Sequence, residues 1–260
     1  MKFVYLLPFS YFVHTRLSKG SLEFHALFEW GAALVLTGAF GVAGTWGSML
    51  FAFQAYFAFI SLYEVGYLFN DLISTKKELA ARLRGPADAT GAWLAAWVLS
   101  RLMAFMALTL FLDVAGRGDW WLFFGAMLGV FALHNLLQDK DSKASTFLWL
   151  AWFRFLAPVV FVVLPSQRMG IALGAASLYA GFRLFGYLDS KGLLVMPRRQ
   201  SMTFRGAYFL MPLFSAISMF DYPEARGFRC MVFYYAALVS VALAAQNVRA
   251  GSWRREKKQR

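Results

Sequence analysis

Cysteine, histidine and linker-type sequence are scarce in this chain, and each scarcity removes a class of site or of architecture. The single cysteine, Cys230, cannot form an internal disulfide, and alone it cannot build a thiolate metal centre. His14, His25 and His134 are too scattered in sequence to form a metal-binding motif. No stretch rich in Pro, Gly or Ser separates a second domain, and residues 1–17 lack a signal-peptidase cleavage site. We therefore expect one domain that keeps its amphipathic first 17 residues.

Charge is also scarce, and what replaces it is apolar. Only 15% of the residues are charged, whereas 60% are hydrophobic and 18% aromatic, and the mean hydropathy is +0.53. An ordinary soluble domain is about 45–50% apolar and about 25% charged, so this composition indicates an integral membrane protein. The formal net charge is +12, but the basic residues interrupt apolar runs and do not form one face. This distribution is typical of topology determinants and argues against a nucleic-acid partner.

Eight segments are long and apolar enough to predict transmembrane helices, since a crossing needs about 20 residues. They are 24–43, 48–70, 92–112, 119–137, 145–164, 169–188, 205–220 and 229–249. The predicted fold is an all-α, polytopic helix bundle forming one integral membrane domain over 1–260. We expect two pseudo-repeated four-helix halves, at about 24–137 and 145–249, and a basic tail at 250–260.

Lysine and arginine predict the orientation of the bundle. Nineteen of them lie in one alternating set of loops and in the tail, and only four lie in the opposite loops. Cytoplasmic loops carry the excess of Lys and Arg, so both termini are expected in the cytoplasm, and the expected location is a bacterial inner membrane. The basic tail is expected to lie against anionic lipid headgroups.

A short repeat marks the ends of the second and sixth predicted helices. Both 66–68 and 186–188 read Gly-Tyr-Leu, 120 positions apart, and each is followed by an acid, Asp71 or Asp189. Polar clusters at corresponding points of two repeated hydrophobic units are typical of a binding site on a pseudo-symmetry axis. We therefore expect the cytoplasmic ends of these helices to meet in one pocket.

Carboxylates recur along the second predicted helix and its extension. Glu64, Asp71 and Glu78 are spaced by seven residues, and Tyr67 and Asn70 lie near the same helical face. Converging oxygen ligands of this kind suit Mg²⁺, which also takes phosphate oxygens of a substrate. The alternative is that Asp71 and Glu78 are only the solvated end of the helix, and both readings stay open.

Charged residues, most of them cations, occur at similar depth on other segments. Arg183, Asp189 and Lys191 lie along the end of the sixth predicted helix, and Lys143 begins the fifth. Arg154 lies in the middle of the fifth, where a guanidinium needs a carboxylate or a phosphate. One reading is a buried ion pair of Arg154 with Glu64 or Glu29. The other is that Arg154, Arg183 and Lys143 neutralise a diphosphate.

Asn70-Asp71, following Tyr67 at the end of a helix, resembles the first signature of the UbiA superfamily of intramembrane prenyltransferases. That signature reads N-x-x-x-D-x-x-x-D and is followed by an aspartate motif at the end of the sixth helix. The stretch 143–158, which holds Arg154, is similar to the family's K-R…L-R-x-x-A-G passage. The resemblance covers roughly residues 45–210.

Several positions depart from the family pattern. Ser74 and Glu78 stand where the signature has two aspartates, and Leu193 stands where the second motif has another acid. The family has nine helices, against eight predicted here. The basic residues after Lys191 are also similar to the branch that makes decaprenyl-phosphoribose.

The resemblance implies a Mg²⁺-dependent transferase that acts on a polyprenyl phosphate or diphosphate and prenylates a small, aromatic acceptor. It implies catalytic roles for Asp71 and Asp189 and metal binding by Asn70, Asp71, Glu78 and Asp189. Substrate binding is expected from Lys143, Arg154, Arg183, Lys191, Tyr67 and Tyr187, with aromatic side chains lining a channel for the isoprenoid chain.

Three alternatives remain beside this hypothesis. A phosphoribosyl variant would make the lipid phosphate the nucleophile. A degenerate relative would bind a lipid or quinone, or serve as a structural subunit with a membrane protein partner, and the missing acids at Ser74 and Leu193 favour it. A secondary transporter is weaker, since the two motifs lie on the same side of the membrane and no helix pair interrupted by Gly or Pro marks a midplane site.

Overall fold

In the computed structural model of the protein, residues 3–17, 22–74 and 89–259 are described. Within these ranges the chain is all-helical, at 81% helix. One isolated antiparallel bridge joins Gly41 to Val163. The predicted all-α class is therefore confirmed.

The helices follow the predicted apolar segments closely. An N-terminal segment of short turns (Val4–Leu6, Ser10–Phe12 and Val13–Leu17) is followed by Leu22–Phe24 and the π-helical His25–Gly31, which leads into α1. The other helical elements follow in chain order. They are α1 Ala32–Phe40, α2 Gly44–Phe69 with a π-helical extension Asn70–Ser74, α3 Gly91–Phe111, α4 Gly118–Leu136, α5 Lys140–Leu156, α6 Pro165–Gly174 with π-helical Ala175–Ala180, α7 Gly181–Ser190, α8 Met202–Leu210, α9 Pro212–Ser218 and α10 Arg226–Gln259.

Three of these helices begin at a residue whose side chain caps them. The Thr90 hydroxyl accepts from the N–H of Trp93 at the start of α3, and Ser201 accepts from Phe204 at the start of α8. Asp139 accepts from the N–H of Ser142 at 2.6 Å at the start of α5. This donated hydrogen bond holds the pKa of the Asp139 carboxyl below its usual range. The start of each helix is thus explained by its local sequence.

Four stretches of helix are long and apolar enough to cross a membrane: Gly44–Leu72, Gly91–Phe111, Pro165–Ser190 and Pro223–Val248. The other predicted segments are helical but less suited to a crossing. For example, α5 has 17 residues and carries Lys140, Asp141, Lys143 and Arg154, and the 205–220 segment is divided between the short helices α8 and α9. A membrane protein is supported, and eight crossings stay a prediction.

The chain divides into two units, Met1–Val163 and Leu164–Arg260. In the first, α2 packs against α1, α3 and α4, around buried side chains that include Phe59, Trp120 and Phe131. In the second, α10 packs against α6 and α8, where Phe209 and Tyr235 are fully buried. The boundary follows the fifth predicted segment, not the fourth, and the repeated halves at 24–137 and 145–249 stay a prediction.

The two Gly-Tyr-Leu repeats lie in different packing environments. At Gly66 a Cβ atom would lie 2.4 Å from ring carbons of Phe131, so α2 and α4 approach closely there because this residue has no side chain. At Gly186 the nearest atom to such a Cβ, a terminal nitrogen of Arg199, is 3.5 Å away. Only the first glycine is needed for close helix packing.

Alanine substitutions at these two glycines should therefore have different effects on the stability of the protein. Gly66→Ala is expected to destabilise the protein by about 1–3 kcal/mol, because the added methyl group overlaps the Phe131 ring. Gly186→Ala is the matched control and should be neutral or stabilising by up to about 1 kcal/mol, since alanine favours helix. Thermal unfolding in detergent measures both, and equal melting temperatures for the two variants would contradict this packing.

Candidate functional site

A buried ion pair fastens the N-terminal segment to the helices of the first unit. Arg101 Nε donates to Glu64 Oε2 at 2.7 Å, and both side chains are fully buried. Arg101 also donates to the backbone carbonyls of residues 5–7 at 2.6–2.9 Å. The two Glu64 oxygens accept from the backbone N–H groups of Phe9 (3.2 Å) and Phe12 (2.7 Å).

This arrangement explains how irregular backbone is tolerated beside apolar helices. The segment turns sharply at Phe9, whose φ of 72° lies in the left-handed region. A turn of this kind leaves backbone groups without helical partners, and such groups are costly unless they are hydrogen-bonded. Arg101 supplies the donors and Glu64 the acceptors, so the pair holds the segment in place.

The fastened segment forms one wall of a cavity of about 370 Å³. The cavity is lined by Phe9, Phe12, Val13 and Leu17 of the segment, Trp30, Ala33 and Leu34, then Ala52, Phe53, Tyr56, Phe57 and Ile60 of α2, and Pro158. The only polar side-chain atoms that these residues carry are the Tyr56 hydroxyl and the Trp30 indole nitrogen. We call this space the apolar cavity.

A second buried ion pair lies beside the apolar cavity. Arg154 Nε lies 2.9 Å from both oxygens of Glu29, and its terminal nitrogens donate to the hydroxyls of Tyr67 (2.9 Å) and Tyr56 (3.2 Å). Tyr56 in turn donates to Glu29 Oε1 at 2.8 Å, and His25 Nδ1 lies 2.7 Å from Glu29 Oε2. Of the two partners proposed for Arg154 from the sequence, Glu29 is the one observed.

The end of α2 carries a third charged cluster. Arg16 donates to both oxygens of Asp71, at 3.1 and 2.9 Å, and Tyr11 donates to Asp71 Oδ2 at 2.7 Å. The Arg16 guanidinium lies 4.1 Å above the ring of Tyr67. Asn70 Nδ2 is 3.5 Å from Asp71 Oδ1. Tyr67 thus contacts both Arg154 and Arg16 and links the two clusters.

These clusters do not offer Mg²⁺ a ready set of ligands. Both oxygens of Asp71 are already engaged, so a metal there would have to displace Arg16. Among the side chains that the structure describes (3–17, 22–72 and 89–248), no three His, Cys, Asp or Glu residues group together so that they could hold a metal ion. Glu78 lies outside the described residues. Metal binding by Asn70, Asp71 and Glu78 stays a prediction.

Lys143, predicted to bind substrate, is buried on α5 at 5% exposure. Its backbone carbonyl accepts from the hydroxyl of Thr146, and that hydroxyl lies 2.7 Å from His134 Nδ1. These contacts tie α5 to α4, and substrate binding by the ammonium group stays a prediction.

The remaining predicted residues lie on or just after α7 in the second unit. Asp189 pairs with Arg199 Nε and accepts from the backbone N–H of Met196 at 3.2 Å. The Lys191 ammonium lies 5.9 Å from the ring centroid of Tyr187. Asp189 therefore stabilises the turn that follows α7. Whether it shares a site with Asp71 stays a prediction.

Arg183 completes this group. It donates to the hydroxyl of Tyr179 at 2.9 Å, one helical turn earlier.

Two residues of the charged clusters are absent from the sequence-based candidates. Arg101 lies in the middle of the segment 92–112, and an ionisable group inside an apolar span is itself a signal. Arg16 is one of the nineteen loop and tail cations from which the sequence predicts orientation alone. Its pairing with Asp71 joins positions 55 residues apart, and no local sequence pattern predicts such a contact.

Comparison with known proteins adds no relative. No protein-family model matches the chain, and no curated protein or solved structure is significantly similar to it. The likeness to the UbiA superfamily therefore depends on the motifs alone and contributes to function only as a proposal.

Proposed function

We propose that the first unit is a binding module for an isoprenoid lipid, and that its apolar cavity holds the prenyl chain of a quinone-like molecule. One observation carries the proposal, which is the cavity of about 370 Å³ with its apolar and aromatic lining. Small-molecule sites are typically clefts of about 300–1,000 Å³, mostly apolar and aromatic, with few polar groups.

The lining favours a prenyl chain. Six of the lining side chains are aromatic: Phe9, Phe12, Trp30, Phe53, Tyr56 and Phe57. Val13, Leu34 and Phe53 line the cavity and are also exposed on the outside of the protein. In a membrane-spanning protein such a surface faces hydrocarbon, so a lipid chain can enter from the bilayer.

The state of the charged groups favours a neutral head group over a diphosphate. Arg154 is already paired with Glu29, and Arg16 with Asp71. A diphosphate needs cations that are free to neutralise it, whereas a neutral quinone needs none. On this proposal the ion pairs build the cavity wall and hold the Tyr56 ring in that wall.

A Mg²⁺-dependent UbiA-like transferase is the second candidate. It is supported by the continuous polar cluster that joins Asn70, Asp71, Arg16, Tyr67 and Arg154 at one end of α2. In this candidate Mg²⁺ would polarise a prenyl diphosphate, or a sugar diphosphate in the phosphoribosyl variant. Arg16 would have to leave Asp71 first. The predicted architecture, with eight crossings in two halves and both termini in the cytoplasm, is part of this second proposal.

Prenyl-lipid binding tests the proposal directly. The purified protein in detergent is titrated with a geranylgeranyl-substituted quinone, with and without EDTA. Ala52→Trp fills the apolar cavity and is expected to weaken binding more than about tenfold, because several carbons of the chain lose their contacts. Leu50→Trp, at an exposed position on the same helix, is the matched control and should bind like the wild type.

The same assay separates the two candidates. Quinone binding that is unaffected by EDTA and lost in Ala52→Trp supports the proposal. Binding of geranylgeranyl diphosphate that requires Mg²⁺, together with weak quinone binding, would instead support the transferase. Phe57→Ala, which removes part of the wall without filling the cavity, should weaken quinone binding as well. An unchanged affinity in both cavity variants would refute the assignment of the site.

A further inference from the structure

The second unit contains an apolar groove of its own. It lies between α8 and the helix formed by Ala175–Ala180 and α7, and has a volume of about 430 Å³. Its walls include Leu178, Phe185, Phe204, Ala207, Tyr208 and Met211. The proposed function of the first unit does not involve this groove.

Basic residues gather at one end of the groove. Because α7 ends at Ser190 and α8 begins at Met202, the connection between them lies where these two groove-forming helix ends meet. The connection and the first turn of α8 carry four cations. They are Lys191, Arg198, Arg199 and Arg205. The carboxylate of this region, Asp189, is engaged by Arg199 Nε.

Arg199 lies against α7 and Arg205 lies on α8, which are helices that form the groove. A terminal nitrogen of Arg199 is 3.5 Å from the position that a Cβ of Gly186 would take, next to the lining residue Phe185. Arg205 follows the lining residue Phe204. Its Nε is buried and has no hydrogen-bond partner in the part of the chain that the structure describes. A buried guanidinium N–H without a partner favours an anionic ligand.

We propose that this groove is a binding site for an anionic phospholipid. One acyl chain lies in the groove against Phe185, Phe204 and Tyr208, and the phosphate lies at Arg205. The stretch Pro165–Ser190 is long enough to cross a membrane, so its end at Ser190 falls near the headgroup level. The apolar part of the groove then lies at the depth of the acyl chains. The occupant is a lipid because the charged end continues into an apolar groove at this depth.

Separate substitutions can test how the arginine charge and the shape of the groove each contribute to lipid binding. The protein in detergent is titrated with phosphatidylglycerol and with phosphatidylcholine of the same chains, and bound lipid is counted by native mass spectrometry. Arg205→Gln is expected to weaken phosphatidylglycerol binding about fivefold or more and to leave phosphatidylcholine unchanged. Arg226→Gln, an exposed arginine of the same unit, is the matched control and should bind like the wild type.

A second variant keeps the charges and blocks the groove. Ala207 is an exposed lining residue, so Ala207→Trp is expected to fold and to reduce phosphatidylglycerol binding about tenfold. Glycerol phosphate, which has the headgroup charge but no chains, should not displace the lipid.

Three results would overturn the proposal. They are equal losses in the Arg205 and Arg226 variants, equal binding of the two lipids, and displacement by glycerol phosphate. All three readouts are independent of quinone binding in the first unit, so this proposal and the proposed function can fail separately.

Discussion

Replacing Arg101 by methionine is expected to destabilise the first unit by about 3–5 kcal/mol, the usual cost of removing one partner from a buried ion pair. Glu64 would lose its counter-charge in a site from which water is excluded. The carbonyls of residues 5–7 would lose the hydrogen bonds from Arg101 at the same time. The N-terminal segment should then detach from α2 and α3, and one wall of the apolar cavity would be lost.

Two readouts check this expectation. Unfolding in detergent gives the loss of stability, and quinone titration gives the loss of the cavity. Arg117→Met is the matched control, since Arg117 pairs with Asp119 at 2.7 Å but both side chains are partly exposed. Exposed pairs contribute about 0–1 kcal/mol, so this variant should behave almost like the wild type. Equal effects of the two substitutions would show that the buried pair does not hold the segment.

Substituting Arg154 by methionine should cost a similar amount, about 3–5 kcal/mol, because Glu29 is fully buried and would lose its main counter-charge. The structure adds a second expectation. Glu29→Gln combined with Arg154→Met removes both charges, so the double variant should recover stability relative to Arg154→Met alone. A double-mutant cycle measures this coupling, which for residues in contact is about 0.5–3 kcal/mol.

The same cycle distinguishes a structural from a substrate-binding role of Arg154. If the guanidinium serves Glu29, as its contacts indicate, the double variant should retain quinone binding. If it neutralises a diphosphate, the two substitutions should be additive in stability, and diphosphate binding should be lost in every variant that lacks Arg154. Additive stabilities would contradict the structural role.

Much of the fold was predictable from composition and spacing. The apolar segments coincide with helices because runs of apolar residues form helix wherever backbone groups must pair internally. The helix of the fifth segment ends at Leu156, just before Pro158. The rule that an intramembrane charge needs a partner also predicted that Arg154 would have an anionic partner, and an ion pair with Glu29 was one of the readings it left open. Applied to Arg101 as well, it would have indicated the partner of Glu64.

Other features depend on contacts between distant parts of the chain. The pairing of Arg16 with Asp71 and the fastening of residues 5–12 by Glu64 and Arg101 require the three-dimensional arrangement. The repeated Gly-Tyr-Leu motif illustrates the same limit. Its letters are identical in both places, yet Gly66 lies against an aromatic ring and Gly186 has room for a methyl group. The helix that packs against each glycine determines its role, and the local motif carries no information about that helix.

The central claim is that a prenyl chain lies in the apolar cavity of the first unit, and photo-crosslinking locates the chain most directly. A geranylgeranyl quinone with a diazirine near the end of its chain is bound to the protein, irradiated and mapped by peptide mass spectrometry. We expect labels on the N-terminal segment and on residues 52–60 of α2, with label at these sites lost in Ala52→Trp. Labels confined to the outer faces of α3 or α10, or unchanged in Ala52→Trp, would contradict the account.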